Sequence, residues 1–308
     1  MSMHATPEVK RILSHYEGES PALLANLGQI LMHGSLAGSG RVVILPVDQG
    51  FEHGPGRSFA PNPDGYDPHY HFQLALDAGL SAFAAPLGLL QSGIDTFAGR
   101  VPLILKLNGG MSWSTVKDQA VTASVSDAVR LGCAAVGFTM YPGAEAQYGM
   151  MEELREIIRE ARAAGLPAVV WSYPRGGALA REDETALDVT AYAAHLAALV
   201  GAHVIKVKPP TAHLAQKEAA AVYAEQGVAA ATLSDRVRHV MQAAFDGRRI
   251  VVFSGGSAKG QDAILAEVGE IARGGGSGSI IGRNSFQRKK PDALALLSAI
   301  VDIYRSAC

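Results

Sequence analysis

The sequence predicts a (β/α)8 barrel, a TIM barrel, carrying a helical N-terminal extension. Three observations carry this. Eight short runs rich in Val, Ile, Leu and Ala recur along the chain, each ending in turn residues. Such near-continuous apolar strands imply burial on both faces, the mark of a parallel sheet. Amphipathic helical patterns lie between them, and 308 residues is an ordinary length for one such barrel. The runs are Val42–Val47, Ala82–Ala85, Leu103–Leu107, Ala135–Thr139, Ala168–Ser172, His203–Val207, Ile250–Ser254 and Ser279–Gly282. An open doubly wound sheet is the runner-up. The strand count disfavours it, as does the lack of a GxGxxG after the first strand.

The clearest helix is MEELREIIREARAA, Met151–Ala164, with acids early and Leu154, Ile157, Ile158 and Ala161 at helical spacing; Gly165 stops it. The first forty residues form a prelude in which Pro7–Tyr16 and Pro21–Met32 read as helices, placed to cover the barrel bottom or a subunit contact. An Ala-rich insertion, Thr211–Arg248, reads as two helices between the sixth and seventh strands. No linker, repeat or low-complexity tract divides the chain, so residues 1–308 are expected to form one domain, with 1–40 as its extension.

Lys and Arg number 27 against 29 Asp and Glu, so charge gives no support to nucleic-acid binding or a polybasic membrane contact. The two cysteines, Cys133 and Cys308, form neither a disulfide framework nor a CxxC pattern. MSMHATPEVKR lacks an apolar signal core, and no run reaches about 18 uninterrupted apolar residues. A soluble, cytoplasmic protein is expected.

Barrels of this class place reactive groups at the C-terminal ends of their strands. The first exit, VILPVDQGFEHGP (Val43–Pro55), crowds Asp48, Glu52 and His53 behind an apolar strand; these residues either brace a turn or wall a site. The third, LILKLNGG, carries Lys106 and Asn108. A lysine inside an apolar strand meets an acid or an anionic ligand, and both remain open here. The fifth, VVWSYPRGG, carries Trp171, Tyr173 and Arg175. Trp171 and Tyr173 share a face, and either pack or take part in chemistry; a charged neighbour lowering its pKa would make Tyr173 a proton carrier. Arg175 suits bidentate phosphate binding.

The sixth exit, HVIKVKPP, puts Lys206 and Lys208 on one face. On the outside they are two solvated lysines. On the inside, burial and mutual repulsion lower the pKa, and a neutral amine can form a Schiff base with a ketone. The seventh and eighth exits, FSGGSAKG and GGGSGSIIGRN, supply Ser254, Gly255, Gly256, Gly282 and Arg283, a pattern suited to phosphate held by backbone N–H groups. Histidines are scattered; His69 and His71 are expected to pack a loop or an interface, and no metal site or cofactor is expected.

Together, VILPVDQGFEHGP, RSFAPNPDGYDPHYHFQLALDAG, LILKLN, WSYPRG, HVIKVK, FSGGS and GRNSFQR resemble the archaeal-type (DhnA-type) class I fructose-1,6-bisphosphate aldolases, in the right order from about Arg41 to Arg288. The resemblance implies a metal-free Schiff base on Lys206, Tyr173 as principal proton carrier, and Asp48 orienting the amine and the sugar hydroxyls. Trp171 falls on the family's strand-five tryptophan. Ser254–Ser257 with Gly282–Arg283 would hold the phosphate at the dihydroxyacetone end, and His53 and Arg175 would face the other end. It further implies sugar-phosphate substrates and a large homo-oligomer. Relatives with the same barrel and lysine act as transaldolases or a thiolase on other sugar phosphates, and a phosphosugar-binding barrel without turnover is the remaining rival.

Overall fold

The structure, a computed structural model, describes residues 5–255 and 260–307. Eight parallel strands close into a barrel: β1 (Val42–Pro46), β2 (Ala82–Pro86), β3 (Leu103–Lys106), β4 (Ala135–Met140), β5 (Ala168–Ser172), β6 (Val204–Val207), β7 (Ile250–Ser254) and β8 (Gly278–Ile280). Each pairs with its neighbours in sequence, and β8 closes on β1. The expected barrel is therefore borne out, every strand within three residues of its expected bounds. A two-stranded hairpin, Asn108–Gly109 with Ala120–Val121, was not anticipated.

Alternation organises the interior. Val42 and Ile44, Ala82 and Ala84, Val169 and Trp171, and Ile250 and Val252 belong to one cluster inside the barrel. The intervening Val43, Leu45, Phe83, Val170, Val251 and Phe253 pack outward against the helices. Successive strand residues point to opposite faces, so both sets must be apolar. This is why the strands read as unbroken hydrophobic runs.

Two helices close the barrel at its N-terminal end. α1 (Pro7–Leu13) and α2 (Pro21–Leu31) each start with Pro behind a capping hydroxyl, Thr6 and Ser20. Val9, Leu27, Ile30 and Leu31 from this pair join the interior cluster, with Tyr16 from the segment between them. The prelude thus covers the barrel bottom. The Tyr16 hydroxyl donates to the His203 carbonyl at 2.6 Å and accepts from the Ile250 amide at 3.1 Å, tying β6 and β7 at their entries. The long helix anticipated from Met151 begins earlier, at Gln147, and buries Met150, Leu154, Ile158 and Ala161; the insertion forms two helices, Lys217–Glu225 and Leu233–Ala243.

The seam between β8 and β1 depends on one glycine. A Cβ at Gly278 would lie 1.9 Å from the Val42 carbonyl oxygen, which the strand pairing cannot relieve without parting. Gly278→Ala is expected to cost at least about 2 kcal/mol, read as a lowered urea midpoint. An unchanged midpoint would mean that the seam is more pliable than this contact implies.

Candidate active site

A cavity of about 570 Å³ opens at the C-terminal end of the barrel. It is lined by every residue singled out from the sequence, Asp48, His53, Lys106, Trp171, Tyr173, Arg175, Lys206, Lys208, Ser254, Gly255, Gly282 and Arg283. The exception is Gly256, which lies outside the described residues, as does the Ser257 end of that loop. Most of these positions continue the inward alternation past the strand ends: Ile44 leads to Asp48, Ile104 to Lys106 and Asn108, Trp171 to Tyr173 and Arg175, Val204 to Lys206 and Lys208, and Val252 to Ser254. Register alone therefore converges these groups. Glu52 and His53 arrive instead on the helical segment Gln49–Phe59, just before its kink at Gly54 (φ 73°), and Arg283 on the short helix after β8.

Among the described residues four lysines line the cavity: Lys117 is exposed, Lys106 and Lys208 are bonded, and Lys206 is the buried one with a free amine. Lys106 is buried, and its Nζ donates to both the backbone oxygen and Oδ1 of Asn108, each at 2.6 Å. Asn108 is itself fixed, donating to the Thr139 carbonyl and accepting from the Thr139 amide at 2.8 Å. Lys208 pairs with Glu184 at 3.0 Å. Lys206, 4% exposed, has its Nζ 5.0 Å from the Trp171 ring centre and 5.6 Å from that of Tyr173, with no ion-pair partner among the described residues. Burial lowers its pKa to about 8; Asp48 and then Glu52 act in the opposite sense, and Arg283 lowers it further. The depressing cation is Arg283, where the sequence pointed to Lys208, because Glu184 draws Lys208 to the rim. Lys106 is also lowered to about 8 by burial, but its amine is already bonded.

The aromatic floor requires a small residue opposite it. A Cβ at Gly137 would come within 2.8 Å of the Trp171 ring, which lies across β4 beneath both lysines. Tyr173 corrects the sequence expectation. Burial pushes its pKa up, and Asp48 and Glu52 push it further, outweighing a hydrogen bond with the Ser254 side chain. Burial and the two acids outweigh the cations Lys206, Lys208 and Arg175 around its ring, so the hydroxyl is held protonated and suited to donating.

Asp48 begins the helix Gln49–Phe59, but its side chain makes no capping bond there. Its charge instead bears on Lys106, Lys206 and Tyr173. Arg175 pairs with Glu52 at 3.2 Å and lies over the Tyr141 ring at 4.9 Å. Burial alone would raise the Glu52 carboxyl, but Arg175 and His53 hold it below its usual value. His53, 3.7 Å from Glu52, is depressed by burial.

Tyr141 and Thr139 line the cavity too and were missed, because the fourth exit, FTMYPG, was not read for chemistry. The Tyr141 hydroxyl accepts from Gln119 at 2.6 Å, and burial pushes its pKa up to about 12. One glycine run is misplaced in the sequence reading. Gly274–Gly276 precedes β8, at the opposite end of the barrel, so only Gly282–Arg283 serves the eighth exit. His71 bonds the Gly65 carbonyl and His69 that of Ser92, bracing the loop as anticipated.

The family model described as DeoC/LacD family aldolase matches residues 42–288. The chain belongs to the DeoC/LacD aldolase family. Among its relatives, "Fructose-bisphosphate aldolase class 1" of Thermoproteus tenax is 37% identical over 286 residues, covering 91% of this chain and 95% of that protein. "Probable fructose-bisphosphate aldolase class 1" of Chlamydia muridarum is 36% identical over 297 residues, covering 92% and 84%. An archaeal fructose-1,6-bisphosphate aldolase, solved "with the catalytic Lys covalently bound to the carbinolamine intermediate of the substrate", superposes with a TM-score of 0.75 at 33% identity, covering 91% of this chain and 98% of that one. Among the described residues of this aldolase-family chain, Lys206 is the buried lysine with a free amine.

Proposed function

We propose that this chain is a class I fructose-bisphosphate aldolase, cleaving fructose 1,6-bisphosphate reversibly to dihydroxyacetone phosphate and glyceraldehyde 3-phosphate. The observation that carries it is the buried, unpaired Lys206 amine between Trp171 and Tyr173. That amine adds to the C2 carbonyl; water leaves and an iminium forms. The cation draws the electrons of the C3–C4 bond as the C4 hydroxyl gives up its proton, releasing the aldehyde and leaving an enamine. Asp48, the carboxylate acting most strongly on both lysines ahead of Glu52, accepts that proton. Tyr173, kept protonated, donates to C3 and is reprotonated through Asp48. Hydrolysis of the second iminium frees Lys206.

Trp171 bounds the reacting carbons. Ser254, Gly255, Gly282 and Arg283 take the phosphate next to the ketone. Arg175 and His53 face the distal phosphate, with Lys106 and Lys208 adding positive charge around the chain of hydroxyls. No helix among the described residues is long and apolar enough to cross a membrane. A cytoplasmic enzyme in a large homo-oligomer completes the reading. Exposed Tyr192 and Leu199 on the helix Leu187–Val200 supply apolar surface for subunit contact.

The test is borohydride trapping. The chain is incubated with dihydroxyacetone phosphate and EDTA, reduced, digested and mapped by mass spectrometry. An adduct on Lys206 is expected; one on Lys106 or Lys208, or none, would overturn the assignment.

The pH dependence follows from the same amine. Below its pKa of about 8 Lys206 is protonated and cannot attack. The rate of adduct formation should rise roughly tenfold per pH unit up to that value and level off above it. Asp48→Asn removes an influence that raises this pKa, so the midpoint moves to lower pH while turnover falls. A midpoint that moves upward, or stays put, would remove Asp48 from the neighbourhood of the amine.

A further inference from the structure

The opposite face of the barrel holds a second cavity, of about 480 Å³, that the proposed reaction does not use. It lies under the entries of three adjacent strands: Arg41 precedes β1, Arg249 precedes β7 and Ser277 precedes β8. Arg11, Arg41, Arg238, Arg248 and Arg249 line it, against the two acids Glu8 and Asp246.

Two of these arginines are fixed in place without a carboxylate. Arg41 donates from Nη1 to the carbonyls of Gly275 and Gly276, at 3.1 and 2.7 Å. The Arg249 guanidinium lies over the rings of Tyr16 and Phe245, at 5.1 and 5.2 Å, and donates to the Arg248 carbonyl at 3.0 Å. Neither forms an ion pair among the described residues. The others differ: Arg11 pairs with Glu8 at 2.6 Å and Arg238 with Asp235 at 3.0 Å, while Arg248 reaches Glu17 only at 3.9 Å. Half-buried planar guanidinium groups held rigid and unneutralised are organised for an oxygen-rich anion such as a phosphate.

The loop delivering Arg248 and Arg249 is held in an uncommon shape. Phe245 and Asp246, at φ 60° and 53°, are the two non-glycine residues with left-handed backbone among the described residues. The Asp246 amide bonds the Gln242 carbonyl at 2.8 Å, and the Arg248 amide that of Phe245 at 3.1 Å. The turn places the Phe245 ring against Arg249. His15, at the cavity wall, registers the resulting field: burial first, then Arg11, Arg248 and Arg249, lower its pKa.

We propose that this cavity is a second anion site, on the face opposite the candidate active site, taking a small phosphate-bearing molecule. Arg41 and Arg249 grip the phosphate oxygens, and Arg248 and Arg238 add charge at the rim. Concavity and volume favour a small ligand over a nucleic acid, which needs an extended basic surface.

Inorganic pyrophosphate is the probe, titrated calorimetrically into the full chain. Arg249→Gln should weaken one binding event at least about tenfold, the worth of a charge-assisted bond, while Arg283→Gln leaves that event intact. Borohydride trapping with dihydroxyacetone phosphate should be unchanged in Arg249→Gln. Arg248→Gln, whose side chain is exposed and anchors nothing in the fold, should weaken the same event severalfold even if the loss of Arg249 disturbs the loop. Pyrophosphate binding abolished by Arg283→Gln and untouched by either arginine variant below would overturn the proposal. So would an absence of binding, or retention of RNA without pyrophosphate binding, which would make the face a macromolecular contact.

Discussion

Lys206→Met yields a folded barrel that forms no borohydride-stable adduct and turns over fructose 1,6-bisphosphate roughly 10⁴-fold more slowly or worse. Methionine keeps the length and apolar bulk of the lysine stem, so the packing against Trp171 survives. The effect is large because, among the described residues, no other buried lysine has a free amine to stand in. Lys106 has a similarly lowered pKa, but its amine is spent on two bonds to Asn108, and Lys208 is paired with Glu184 at the rim. Turnover, adduct mass and thermal midpoint are measured together. A variant that still forms an adduct, now on Lys106, would show that the bonds to Asn108 break readily and that the two lysines are interchangeable.

Tyr173→Phe separates imine formation from proton transfer. The adduct with dihydroxyacetone phosphate should still form, because the nucleophile and its field are intact. Steady-state cleavage should fall by roughly 10²–10⁴-fold, the range for a lost general acid, with KM little altered. Exchange of the C3 proton of dihydroxyacetone phosphate with solvent deuterium, followed by NMR, reads the missing step directly. That exchange should fall with turnover. Exchange at the wild-type rate would move the proton to another group, with Tyr141, missed in the sequence and close to Arg175, first in line.

The barrel was legible because both faces of every strand are buried, so each strand announces itself as an apolar run. The hairpin at Asn108 was not: its strands are two residues each, in a polar segment with no periodicity. The site was legible where a charged side chain broke an apolar run, as at Lys106 and Lys206. It was illegible at Tyr141, whose residue type is unremarkable after a strand. Extending the period of two past β4, from Ala135 through Gly137 to Thr139 and Tyr141, would have found it. Signs of interaction were harder still. That Tyr173 faces acids, and that Lys208 turns to Glu184, depends on side chains brought together from separate loops. The Gly274–Gly276 run was assigned to the wrong end because glycines before and after a three-residue strand look alike.

The closing of β8 on β1 sets when this chemistry can exist. Asp48 follows the first strand, while Gly282 and Arg283 follow the last, so the cavity is bounded by the two ends of the barrel sequence. A nascent chain that has emerged only as far as β6 already carries Lys206, but nothing yet screens it from water, and its amine remains an ordinary, protonated surface lysine. The reactive nucleophile is created by ring closure. Recovery of adduct-forming capacity during refolding therefore times the zipping of the final seam, and an unfinished chain cannot condense indiscriminately with the carbonyl compounds around it.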